Sequence, residues 1–327
     1  MSVQLFPHNQ IAYNSALEML ESCGKAAIVH PTGTGKSFIG FKLCEEKKND
    51  TICWLSPSEY IFKTQIQLLI STMHQTDYSL LERMKISSSA VVVNQCDRES
   101  TQTIEYNGHN VLWIDTTERG LSKSRNMAIR NATADICMLA DDDMEYRGDY
   151  VDTVLSAFSR ISSDIIGFQV CGIEDKFKDY SEEEQKITYL KSMKMASVEL
   201  AFKRAVFAEK DIRFDELIGA GTEFMMGEEN ALLFQCLHKG LTIYYTPKVI
   251  ADLHVGNSTW FTERNEKFFI GKGASFAAMK TPFTTLLIWQ WAIRKRGLYK
   301  SNMSISKAIK LMQMGKRSYI KKQRGKK

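Results

Sequence analysis

The chain has 327 residues, of which 44% are hydrophobic and 25% charged, as is typical of a globular protein with one large domain or two modest ones. Its seven cysteines form no C-x-x-C pair, which argues against a zinc site and indicates a reducing, cytoplasmic setting. The start lacks the basic and apolar segments of a signal peptide, and no apolar run reaches the ~20 residues that span a bilayer. We therefore expect a protein that is neither exported nor inserted in a membrane.

The first 64 residues contain the pattern of a phosphate-binding loop. A predicted helix (9–22) and strand (26–30) lead into HPTGTGKS, and a second strand follows at 51–55. Glycines let backbone amides approach a phosphate, while the lysine and serine suit phosphate and magnesium contacts. The candidate residues of this loop are Gly33, Gly35, Lys36 and Ser37. The segment resembles the start of superfamily 2 helicases and restriction-enzyme translocases, although the acidic strand end and the arginine of a second lobe that ATP hydrolysis needs are not found.

A second pattern begins at residue 65. Predicted strands at 66–70, 90–93, 111–114, 136–140 and 165–170 alternate with helices at 78–84, 121–131 and 150–161. Such alternation predicts an α/β fold with a mostly parallel sheet and helices on both faces. Ligands bind at the carboxyl ends of strands in that architecture. Two polar segments fall there, STMHQ after the first strand and three consecutive aspartates after the fourth.

The three aspartates, Asp141, Asp142 and Asp143, are the strongest chemical signal in the sequence. Adjacent carboxylates repel one another unless a cation lies among them, and a hard divalent metal prefers oxygen ligands. The triplet is therefore either a metal site that bridges a diphosphate or a solvated acidic turn. Its context, RGLSKSRNMAI followed by RNATADICMLADDDMEY, resembles family 2 glycosyltransferases of the GT-A fold, and the resemblance continues to the C-terminus.

This resemblance implies a Rossmann-like GT-A catalytic domain over residues 65–280 and a Mn²⁺ or Mg²⁺ cofactor. Asn94 stands where the family usually has an aspartate that reads the nucleobase, which leaves the base open although a UDP-sugar is expected. The residues implied in donor binding are Ser71, Thr72, Asn94, Asp97, Arg125 and Asp142, and those implied in metal binding are Asp141, Asp143 and His254.

FDELIGAG, residues 214–221, resembles the acceptor loop of the family. Beyond it, a pair of acidic residues, Glu228 and Glu229, begins a predicted helix in MMGEENALLFQCLHKG. By resemblance, Glu229 stands at the position of the general base that takes the proton of the acceptor hydroxyl, with Glu228 beside it. The alternative is an acidic helix start stabilised by the helix dipole. The catalytic interpretation predicts attack on the anomeric carbon with inversion.

The C-terminal region, 281–327, combines LLIWQWAI with a basic tail. Residues 294–327 contain 13 Lys or Arg and no Asp or Glu. This composition is typical of a helix at an anionic membrane surface, where a lipid-linked acceptor would be met, but a helix pair packed on the catalytic domain has the same pattern. We expect a cytoplasmic, peripheral enzyme with a cell-surface glycan or glycolipid acceptor.

Two alternatives stay open at this point. The phosphate-binding loop and the basic tail are also found in nucleic-acid-binding ATPases, and the junction near residue 64 is compatible with an inactive fusion. The transferase pattern has all its parts in order, whereas the motor pattern stops after two strands. We therefore do not expect nucleic acid as a partner.

Overall fold

The computed structural model describes residues 5, 7–23, 39, 42, 43, 45, 46, 64–255 and 264–325. The chain divides into two compact units, Met1–Lys63 and Thr64–Lys327. In the first unit the structure describes helix α1 (Pro7–Cys23), where Tyr13 donates a hydrogen bond to the Glu46 carboxylate. The predicted phosphate-binding loop, with Gly33, Gly35, Lys36 and Ser37, lies outside the described residues.

The second unit is built around a ten-stranded sheet. Its strands are β1 (Ile66–Met73), β2 (Ser89–Gln95), β3 (Ser100–Tyr106), β4 (His109–Thr116), β5 (Ile136–Asp141), β6 (Met144–Tyr146), β7 (Ile165–Gly172), β8 (Gln185–Lys186), β9 (Leu200–Lys203) and β10 (Ile243–Leu253). Its helices are α2 (Ser79–Arg83), α3 (Leu121–Asn131), α4 (Tyr150–Arg160), α5 (Tyr189–Ser192), α6 (Arg204–Glu209), α7 (Glu228–His238), α8 (Glu266–Ala278), α9 (Thr284–Arg294) and α10 (Ile305–Gly325).

The strand order is β3-β4-β2-β1-β5-β9-β7-β10-β6, with β8 paired to β10. Strands β4, β2, β1 and β5 run parallel, as their alternation with helices predicts. Strand β9 is antiparallel to both β5 and β7, and β3, β6 and β8 are also antiparallel to their neighbours. The complete sheet is therefore open and mixed, in an α/β fold with helices on both faces.

Alternate side chains of the central strands enter two different cores. In β1, Leu68 and Ile70 pack on the face that α2 and α4 cover, whereas Leu69 packs on the face that α3, α6 and α7 cover. This period of two follows from the pleat of a strand. Burial of each such side chain contributes about 1.5–3 kcal/mol, so a strand buried on both faces is held firmly.

A hairpin at the sheet edge was not predicted from the sequence. Strands β3 and β4 pair antiparallel with Tyr106 opposite His109, so Asn107 and Gly108 form a two-residue turn. Both have positive φ, 50° and 77°, as a type I′ turn requires. The Asn-Gly dipeptide was thus an available signal. The segment after β7 contains the short β8 and α5.

The C-terminal helices pack closely on one another and on α7. Helices α8 and α10 cross at glycines, since a Cβ at Gly273 would lie 1.9 Å from the carbonyl oxygen of Met312 and a Cβ at Gly315 would lie 1.9 Å from that of Ile270. Helix α10, which forms most of the basic tail, therefore has one face buried. No helix in the described part of the chain has the length and apolar character to cross a membrane.

The close approach of α8 and α10 at their glycines leads to a prediction about stability. We expect Gly315→Ala to lower the free energy of unfolding by about 1–3 kcal/mol, because backbone cannot move aside for a new methyl group as easily as a side chain can. Urea denaturation measures the change. Gly325→Ala in the same helix is the matched control, since nothing lies within 4 Å of a Cβ there. Equal stability of the two variants would contradict the close crossing.

Candidate active site

The predicted polar residues of β1 and β5 meet at one edge of the sheet. The parallel register pairs Ser71 with Asp141, so these strand ends lie side by side. The Ser71 hydroxyl accepts a hydrogen bond from the Ser124 hydroxyl at 2.8 Å, and the Thr72 hydroxyl donates to the Asp142 carboxylate at 2.5 Å. The strand ends therefore present Asp142 at the surface with support from Thr72, while Ser71 links β1 to α3.

A single guanidinium joins β5 to the start of α7. Arg125 of α3 donates to both oxygens of Asp141, at 2.9 and 3.2 Å, and to Glu228 Oε1 at 3.3 Å. Its side chain is 1% exposed, and the guanidinium lies 5.4 Å from the centre of the Phe214 ring. Burial alone lowers the pKa of Arg125, but the charges of Asp141 and Glu228 outweigh it and raise the pKa.

The donor contact of Arg125 stays a prediction, and the structure gives this residue two protein partners. The sequence suggested a phosphate contact, yet in the structure two protein carboxylates hold the guanidinium at a buried position. Such a buried ion pair orients Asp141 and Glu228 relative to one another. Arg125 is thus a link between the acidic strand end and helix α7.

Asp143 is the acidic residue whose environment fits a cation. Its Oδ1 is buried and has no hydrogen-bond partner among the described residues. Burial, together with the neighbouring charges of Asp141 and Asp142, raises the pKa of Asp143 to about 7. A positive ion beside this carboxylate would stabilise its charged form. A cavity of about 300 Å³ opens here, lined in part by Asp142, Asp143 and His254.

The predicted set of three metal ligands is not assembled. In the parts of the chain that the structure describes, no group of three or more His, Cys, Asp or Glu side chains converges as metal ligands. Asp141 binds Arg125, and both ring nitrogens of His254 contact carboxylates, Glu174 at 2.8 Å and Glu145 at 2.9 Å. These two hydrogen bonds raise the pKa of His254. Of the predicted ligands, Asp143 alone retains an unpartnered buried oxygen.

The side chain of Asn94, the predicted base-reading residue, forms hydrogen bonds within the protein. Its side-chain oxygen accepts from the backbone amide of Gln75 at 3.0 Å, and its side-chain nitrogen donates to the carbonyl of Gln75 at 2.9 Å. The same nitrogen donates to Asp115 at 2.7 Å. In the structure this amide holds the loop after β1, and recognition of the base by Asn94 stays a prediction.

Asp115 was missed in the sequence analysis. It is the last residue but one of β4 and is 2% exposed. Although burial alone raises the pKa of Asp115, hydrogen bonds from Arg98, Asn94, Trp113 and Ser100 hold it well below its usual range. Asp115 directly follows the predicted strand at 111–114. The rule that ligands bind at the carboxyl ends of strands could therefore have identified it. Asp97 lies nearby, largely exposed, and pairs with Arg119 at 2.6 Å.

Glu229 is the carboxylate best suited to accept a proton. It is the second residue of α7, next to Glu228 of the buried ion pair. Burial and the adjacent charge of Glu228 raise the pKa of Glu229 to about 7, and this effect exceeds the opposing effect of Arg125. Neighbouring carboxylates with different environments commonly divide into an acid–base group and a permanently charged group. Here the Glu228 carboxylate pairs with Arg125, whereas the Glu229 carboxylate has the raised pKa.

The segment before α7 forms a loop that is anchored on both sides. Asn126 of α3 donates to the carbonyl of Phe214 and accepts from its amide, at 3.0 and 2.8 Å, and Ser122 donates to the carbonyl of Ile218 at 2.7 Å. On the other side, the Tyr319 hydroxyl of α10 donates to the Asp215 carboxylate. This anchored loop, Phe214–Gly221, is the segment that the sequence analysis compared with an acceptor loop.

Comparison with protein families supports the sequence resemblance. The family model for glycosyl transferase family 2 matches residues 70–214. Residues 70–214 are a family 2 glycosyltransferase domain. The chain is accordingly a glycosyltransferase. The match gives no support to the helicase resemblance of the N-terminal segment.

Solved structures share the fold of this glycosyltransferase domain. The chain is similar to S. aureus TarS 1-349 in complex with UDP-GlcNAc, with a TM-score of 0.51 and 13% identity over 79% of this chain and 92% of that one. It is also similar to GalNAc-T7 with UDP, GalNAc and Mn²⁺, with a TM-score of 0.50 and 13% identity over 77% of this chain and 54% of that one. At 13% identity, these structural similarities show the shared GT-A fold alone. No curated protein matches the chain.

Proposed function

We propose that the chain is a metal-dependent, inverting glycosyltransferase that moves a sugar from a nucleotide-sugar donor to a glycan or lipid-linked acceptor. The observation that carries this proposal is the buried Arg125, which holds the acidic end of β5 and the start of α7 together. A donor-binding carboxylate cluster and a proton-accepting Glu229 are thereby adjacent. The UDP-GlcNAc of TarS and the UDP of GalNAc-T7 support a UDP-sugar as the donor.

The acceptor side of the reaction rests on Glu229. A carboxylate with a pKa of about 7 is partly ionised at neutral pH and can take the proton of an acceptor hydroxyl. The deprotonated oxygen then attacks the anomeric carbon, the bond to the donor diphosphate breaks, and the diphosphate leaves with the electron pair. Attack opposite the leaving group inverts the anomeric centre, so product NMR showing a retained anomer would contradict this mechanism.

The donor side rests on the acidic strand end. Asp143, assisted by Asp142, would hold a divalent ion together with the donor diphosphate, and the buried unpartnered oxygen of Asp143 supports this assignment. Bound Mn²⁺ or Mg²⁺ would supply positive charge to the departing diphosphate. Mn²⁺ in GalNAc-T7 supports a metal of this kind.

A screen of donors tests the function directly. Purified protein with Mn²⁺ or Mg²⁺ is offered a panel of UDP-, GDP-, CDP- and dTDP-sugars, and release of nucleoside diphosphate is measured. We expect release from one donor. If every donor stays intact while ATP is hydrolysed in a Lys36-dependent way, the P-loop ATPase alternative replaces the proposal. Loss of both reactions would favour an inactive fusion.

Asp143→Asn provides the metal test. We expect this variant to lose most Mn²⁺ binding in the presence of nucleoside diphosphate, because the unpartnered carboxylate oxygen is replaced by a neutral amide. The measurement is the Mn²⁺ electron paramagnetic resonance signal during titration. Asp152→Asn, at an exposed position in the first turn of α4, is the control and should bind as the natural protein does. Unchanged binding by Asp143→Asn would remove this residue from the metal site.

A further inference from the structure

Helix α9 presents an exposed apolar stripe that the folded chain does not cover. Phe283, just before the helix, and Leu286 are each 64% exposed, Trp289 is 50% exposed and Ile293 is 59% exposed. Their spacing of three or four residues places them on one face of the helix. Large apolar side chains that are exposed as a contiguous group indicate a binding surface.

The opposite face of α9 is fully packed. Ile288 and Ala292 have no exposed surface, and Trp291 lies parallel to Tyr299 with ring centres 6.1 Å apart. Lys316 of α10 donates to the Thr285 hydroxyl at 2.7 Å. The helix is therefore held in a defined orientation with its stripe outward, and the exposure does not come from a poorly packed helix.

The charge around the stripe is positive throughout. Arg294, Lys295 and Arg296 continue directly from α9, and all three are exposed. The sequence contains no Asp or Glu after Glu266, so α9, α10 and the segment between them include no acidic residue. An apolar stripe with a tryptophan, bordered by cations, complements the interface of an anionic lipid bilayer.

Helix α10 links the apolar stripe of α9 to the anchored loop of the candidate active site. Helix α10, which packs on α9, also contacts the anchored loop through Tyr319 to Asp215, and the residues just after that loop through Lys322 to Glu223. A surface that binds to the bilayer on α9 is thus connected by direct contacts to the segment compared with an acceptor loop. This arrangement suits an acceptor that lies at the membrane surface.

We propose that the outward face of α9, Phe283 to Ile293, docks on an anionic bilayer with the basic residues that follow it as the electrostatic component. The inference that docking serves a membrane-bound acceptor rests on the proposed function. The binding itself does not, because it requires neither donor nor turnover. A failed binding experiment and a failed donor screen are therefore distinguishable.

The test is co-sedimentation of the full chain with phosphatidylcholine vesicles that contain or lack phosphatidylglycerol, at low and high salt. We expect binding to the anionic vesicles that weakens with salt. The variant Leu286→Ser/Trp289→Ser should partition at least about tenfold more weakly, because it removes two large apolar side chains from the stripe. Leu190→Ser is the matched control, since Leu190 is 66% exposed on the short helix α5, and it should bind as the natural protein does.

Three outcomes would overturn the proposal. One is no binding to anionic vesicles at low salt, and a second is binding that the double variant leaves unchanged, which would assign the effect to charge alone. The third is self-association of the natural chain that the double variant abolishes, measured by analytical ultracentrifugation without lipid, which would make the stripe a contact between copies. Thermal unfolding by circular dichroism verifies that each variant is folded.

Discussion

Replacement of Glu229 by glutamine is expected to lower the turnover number of glycosyl transfer by about 10²–10⁴-fold, the contribution typical of a general base. The amide cannot accept the acceptor proton, while its similar shape preserves the start of α7. The Michaelis constant for the donor should change little, because the donor is expected at the acidic strand end. Glu209→Gln, at an exposed position in α6, is the matched control and should retain full activity.

The pH dependence of the natural enzyme provides an independent test. The active form of Glu229 is the ionised one, and burial with the charge of Glu228 raises its pKa to about 7. Transfer should therefore increase as the pH rises through about 7 and decline below it. Glu228→Gln removes the adjacent negative charge, so we expect the residual activity to retain its acid limb but with the midpoint at a lower pH. If the acid limb of the pH profile persists in Glu229→Gln, another residue is the general base.

Replacement of Arg125 by methionine is expected to lower the free energy of unfolding by about 3–5 kcal/mol, the usual cost of removing one partner from a buried ion pair. The methionine leaves Asp141 and Glu228 without their shared cation at a position that is 1% exposed in the natural protein. Urea denaturation monitored by circular dichroism measures the loss. Arg130→Met, at an exposed position in the last turn of the same helix, should change stability little.

The same variant distinguishes the two roles considered for Arg125. If the guanidinium contacted the donor phosphates, Arg125→Met would weaken donor binding and leave the stability of the fold unchanged. If it links β5 to α7, stability falls and the folded fraction also loses turnover, because Glu229 is no longer held beside the acidic strand end. The contacts with Asp141 and Glu228 favour the second result.

The sequence by itself determined the parallel half of the sheet and the boundaries of α3. Strands buried on both faces give continuous apolar runs, so local pattern was sufficient for these strands. The buried positions of α3 are mostly polar, and this helix lies in the segment that carries the family resemblance. It also located the acidic triplet and the pair Glu228–Glu229. What these positions share is a place at the end of a regular element, which the pattern of that element predicts.

The tertiary structure alone decided which of these side chains are free to bind a ligand and which are held by other residues of the protein. Arg125 and Asp141 are 16 positions apart and Glu228 is 103 positions from Arg125, so no local pattern could reveal the ion pair that joins them. The same holds for Asn94, whose amide is taken by the loop after β1. The physical reason is that a side chain's partners, and hence its pKa and its freedom to bind a ligand, depend on packing between distant segments. The short antiparallel strand β9 was missed for a related reason, because its four residues pair with β5 and β7, which lie far away in the sequence.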